Sequence, residues 1–90
     1  MSTEFSAAEI RMQLDTLRAW HSEKRAAWHR ASKIACGLGP RELTEAQYQR
    51  ALARCRALCA DVERLEAQID DRKRALAAAR EAEQTEECAA

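Results

Sequence analysis

Ninety residues allow one domain and bury little core by themselves. Fifteen Lys and Arg balance fifteen Asp and Glu, so no net charge draws the chain to nucleic acid or to an anionic membrane. One third of the residues are charged, and one Phe, one Tyr, two Gly and one Pro leave almost no vocabulary for strands or turns, which excludes a sheet protein and favours long helices.

The first element announces itself at Ser6-Ala7-Ala8-Glu9. This is a capping box, in which hydroxyl and carboxylate satisfy each other's orphan amides, and Phe5 is placed to staple onto Ile10. The predicted helix covers residues 7–36. Its apolar stripe reads Ile10, Leu14, Leu17, His21, Lys24, Trp28, Ala31 and Ala35; a second reading substitutes Trp20, Ala27 and Ile34 for their neighbours. Together they give a face wider than a two-stranded seam requires.

Residues 37–43 are the predicted connector. Gly37 ends the helix by adopting a left-handed conformation, and Pro40 cannot continue it. A second capping box, Thr44-Glu45-Ala46-Gln47, is flanked by Leu43 and Tyr48 as its staple pair. The predicted helix covers residues 44–83, with a start one turn earlier at Pro40 as the alternative.

That segment carries a heptad ladder. Tyr48, Cys55, Val62, Ile69 and Leu76 fall on one position, and Ala51, Leu58, Leu65 and Ala79 fall on the other. Such spacing makes one helix pack along another with a left-handed crossing. Leu52 and Cys59 widen this stripe as well. Residues 84–90 are predicted to be an acidic, solvated tail, and residues 1–4 and 85–90 to be poorly ordered.

The predicted fold is all-α, an antiparallel, coiled-coil-like two-helix hairpin in a single domain. Folding the chain at Gly39–Pro40 places Leu17 near Val62 and Trp28 near Leu52, with the second helix overhanging from about Ala77. Surplus apolar face on both helices predicts a homodimer in the form of a four-helix bundle. No apolar run reaches membrane-spanning length and no signal pattern opens the chain, so a cytoplasmic protein with reduced thiols is expected. Twelve arginines against three lysines, with abundant alanine, associate the sequence with bacteria or phage.

Three constellations bear on chemistry. Cys55 and Cys59 lie four apart, with His21 opposite, which resembles part of a zinc site; structural zinc takes four ligands and no fourth is evident. The cysteines are therefore read as small packing residues, and neither metal nor cofactor is expected. Segment 20–30 repeats Ala-Trp-His with cations between, a pattern that can stack on bases, but Trp20 and Trp28 fall on the packed face. Lys24 sits in the seam, where a cation has to snorkel, pair or meet a partner. Catalytic triads, glycine-rich phosphate loops and paired carboxylates in a pocket are missing, so no enzyme is expected.

The expected function is a small protein-binding module, an adaptor, regulator or inhibitor acting through an apolar and aromatic helical face. Its expected contacts are Trp20, Lys24, Trp28, Tyr48 and Leu52, because aromatic anchors dominate protein interfaces. One alternative is a nucleic-acid-binding accessory protein using Lys24, Arg25, Arg30 and Lys33. A second is a structural subunit of a larger helical assembly.

Overall fold

A computed structural model describes residues 5–39 and 42–89, with side chains as far as Glu86. Helix α1 spans Ala7–Ala35 and helix α2 spans Glu45–Ala89. Gln13 pairs with Arg72, His21 with Glu66, Lys24 with Asp61 and Ser32 with Cys55, so the helices run antiparallel as a hairpin.

Local chemistry sets both starts. The Ser6 hydroxyl accepts from the Glu9 amide at 3.2 Å. The amide of Ala7 donates instead to Glu83 Oε1 at 3.1 Å, so a carboxylate from α2 helps to cap α1 and complements its positive end. At Thr44 the box is complete: the Gln47 amide donates to Thr44 Oγ1 at 3.2 Å and the Thr44 amide to Gln47 Oε1 at 2.9 Å. Residues 42–44 are irregular, so α2 starts from this box and not one turn earlier. Pro40 itself and residues 1–4 lie outside the described residues.

Helix α1 ends in a Schellman motif. Gly37 has φ 78°, its amide donates to the Ile34 carbonyl at 3.1 Å, and the Leu38 amide donates to the Lys33 carbonyl at 2.9 Å. Only glycine takes that φ without steric cost.

The seam is the first of the two stripes. Ile10, Leu14 and Ala31 of α1 are buried, as are Leu58, Val62, Leu65 and Ile69 of α2, while Leu17, His21, Trp28 and Ala35 are half-buried. Between Leu65 and Ala79 the ladder is interrupted by Arg72, whose guanidinium donates to Gln13 Oε1 across the seam at 3.2 Å and to Asp71 at 2.9 Å.

Two expectations fail. Facing residues are displaced by about one heptad: Ser32 meets Cys55 and Lys24 meets Asp61, so Trp28 lies well along α2 from Leu52 and Leu17 borders Gln68 and Asp71 instead of Val62. A slide of seven residues leaves a heptad ladder in phase, so periodicity alone cannot choose between the two registers. The connector chooses. Gly37 and Gly39 border the same hollow as Leu43, Glu45 and Tyr48, so the chain climbs beside the first turns of α2, which project past the end of α1.

The second correction concerns the tail. Helix α2 continues to Ala89 instead of ending at Glu83, and its overhang begins after Glu83 and not at Ala77. Residues 77–89 contain neither Gly nor Pro and are rich in alanine and glutamate, strong helix formers. Thr85 Oγ1 donates back to the Glu81 carbonyl at 2.9 Å, as a helical threonine does.

Candidate interaction surface

The hairpin is one layer thick. Its Cα atoms extend over 68 × 23 × 13 Å, so both broad flanks of the seam meet solvent. No helix among the described residues is long and apolar enough to cross a membrane.

On one flank Trp20 is 53% exposed. It lies one position before His21, off the seam, and with Leu17 and Thr16 forms one wall of an open groove of about 720 Å³. Ala67 and Gln68 of α2 form the opposite wall. The charged rim is matched internally: Asp61 pairs with Lys24 at 3.4 Å and also with Arg64, while Arg72 pairs with Asp71 at 2.9 Å. The groove is thus an apolar, aromatic surface with a neutralised border, the composition of an interface core.

The opposite flank differs. Arg11 and Arg18 of α1 and Lys73 and Arg80 of α2 line an open cleft of about 360 Å³ over Leu14 and Leu76. The sequence alone led to no expected site at these four cations. The signal was present, since Arg11 and Arg18 are seven apart, as are Lys73 and Arg80, but only the pairing of the helices brings the two sets together.

The five expected contact residues do not converge. Trp20 belongs to the groove. Lys24, expected in the seam, is exposed beside it, with its ammonium 3.4 Å from Asp61. Trp28 is half-buried, its ring 5.6 Å from that of His29. Tyr48, 38% exposed, lines the corner hollow with Ala35 and Cys36. Leu52 follows the seam residue Ala51, which turns it toward the flank away from Trp20.

Cys55 and Cys59 are half-buried, whereas Cys36 is exposed at the corner. Cys55 Sγ is 3.6 Å from Ser32 Oγ, and Cys59 Sγ donates to Glu63 Oε1 at 3.8 Å. His21 Nε2 is 3.2 Å from Glu66 Oε1 and does not meet the thiols. Among the described residues no three His, Cys, Asp or Glu side chains form a group that would hold a metal. Partial burial pushes the Cys59 thiol above its ordinary value, with repulsion from Glu63 and a hydrogen bond to it acting in the same direction. Lys24 could have been expected to activate this thiol; it is paired with Asp61, and the charges acting on Cys59 are carboxylates.

No known protein family matches the chain, and no curated protein or solved structure is significantly similar to it.

Proposed function

We propose that the chain is a small, non-enzymatic, cytoplasmic protein-binding module of the adaptor, regulator or inhibitor type, and that two copies pair across the Trp20 groove as a four-helix bundle. The observation that carries this is the single layer. A compact monomer of 10.2 kDa exposes about 5,300 Å², whereas this hairpin exposes 7192 Å². The surplus is about twice the 800 Å² that each partner buries in a standard interface. A domain closes its core by setting one layer of secondary structure on another, and a second hairpin supplies that layer. Trp20, Leu17 and Ala67 are the apolar surface that it would cover.

The hollows described are open clefts on a helical layer, with no enclosed volume in which to desolvate a reacting group, which supports a binding role over catalysis. Against the nucleic-acid reading, one of its four cations, Lys24, is paired with Asp61, and Trp20 lines an apolar groove. Sedimentation velocity at tens of micromolar tests the proposal. It expects a discrete species near twice the chain mass that Trp20→Ala shifts toward monomer. A wild-type monomer would refute the bundle, and open-ended oligomers would favour a structural subunit instead.

A further inference from the structure

The flank opposite the Trp20 groove carries charge that neither the fold nor the groove uses. Arg11, Arg18, Lys73 and Arg80 are all exposed along one cleft, and none forms an ion pair among the described residues. In an antiparallel helical pair, residues flanking the seam face one another, and opposite charges there stabilise the pairing whereas like charges oppose it. Here two cations from each helix face each other, with Asp15 the one acid lining the cleft. The arrangement disfavours the isolated hairpin and favours a hairpin with negative charge laid between its helices.

We infer that this cleft docks an acidic amphipathic helix of a partner protein. On each wall the two cations are seven residues apart, about 10.5 Å along the axis, which is one heptad. A helix lying in the cleft with carboxylates at heptad spacing meets cations from both walls. Its apolar stripe rests on Leu76 at the floor of the cleft and on Ala77, which separates Lys73 from Arg80. Arginine suits such a site because its planar fork engages carboxylates bidentately. A nucleic-acid strand is a poorer occupant: no aromatic residue lines the cleft to stack a base, and Asp15 repels phosphate. The inference rests on the protein-binding reading but not on the groove, since it uses the other flank.

The test is fluorescence anisotropy with the full chain and a labelled helical peptide of about three heptads, carrying leucine at its seam positions and glutamate on both flanks. Saturable binding is expected, weakened about tenfold or more both by R11E/R18E and by raising salt to about 0.5 M. K73E/R80E should weaken it equally, a second variant in case the first does not keep its helicity. A peptide with lysine in place of glutamate should prefer R11E/R18E to the wild type, a reversal that lost folding cannot produce. The inference is overturned if the glutamate peptide does not bind, if charge reversal leaves its affinity unchanged, or if a single-stranded oligonucleotide of equal charge binds more tightly. Loss of binding in Trp20→Ala with no effect of charge reversal would also overturn it, while leaving the protein-binding reading intact. Cleft-dependent binding by a chain that does not self-associate would instead remove the bundle and keep the cleft.

Discussion

Trp20 and Trp28 are eight residues apart, about 80° around a helix, and the fold uses them differently. Trp28 is half-buried against the seam, and Trp20 stands at the groove. Trp28→Ala is therefore expected to cost about 2–4 kcal/mol of folding stability, read by chemical denaturation. Trp20→Ala should alter folding by less than about 1 kcal/mol while weakening association by about 2 kcal/mol, the scale of an interface hot spot. Unfolding by the Trp20 change and indifference to the Trp28 change would reverse the assignment. At Cys59 the folded-state pKa is raised, so at a given pH less of the reactive thiolate is present than in the unfolded chain. Iodoacetamide labelling followed by peptide mapping should therefore show Cys59 alkylated more slowly in the native chain than in the chain unfolded in urea at the same pH. Equal rates would mean that neither burial nor Glu63 suppresses the thiolate.

Among the elements, the caps and the ladder made both helices and their antiparallel pairing legible in the sequence. Ser6, Thr44 and Gly37 act through bonds to their immediate neighbours, so their signals survive without tertiary context. Register was not legible, because a seven-residue slide keeps seam positions opposite seam positions while changing every partner, and the deciding hollow beside Leu43 and Tyr48 exists only once the chain has folded. The tail was misjudged for a related reason: its acidic composition suggested solvation, while its propensity and the Glu83 contact with the start of α1 keep it helical. The surfaces were half legible. Trp20 is visible as an off-seam aromatic, whereas the cationic cleft needs residues from both helices. The register can be measured directly. In a chain whose only native cysteine is Cys55, Ser32→Cys should form an intramolecular disulfide on mild oxidation, since the wild-type Oγ and Sγ are 3.6 Å apart. A chain that stays reduced, or that links only between molecules, would rule out the register described.

For the molecule as a whole, the proposed bundle would make stability and association one quantity. Among the described residues seven buried apolar side chains in a single layer make a thin core, and in the proposed bundle part of the folding free energy would come from a second copy. The melting temperature should accordingly rise with protein concentration, by a few degrees for each tenfold increase, followed by circular dichroism. A melting point independent of concentration would show that the hairpin stands alone. Should the bundle form, its outer flanks would be the two cationic clefts, one on each copy.

The degeneracy of the ladder has a mechanical side. A seam whose heptad stays in phase at two offsets behaves like the teeth of a ratchet, and the link between α1 and α2 acts as the pawl. Shortening that link would not have to melt the helices; it would advance one against the other by a whole tooth. Arg72 would then lose Gln13, Trp20 would face new residues, and the four cations would no longer stand opposite one another. Position along this rod, rather than helicity, is therefore what the connector encodes, and both surfaces depend on it.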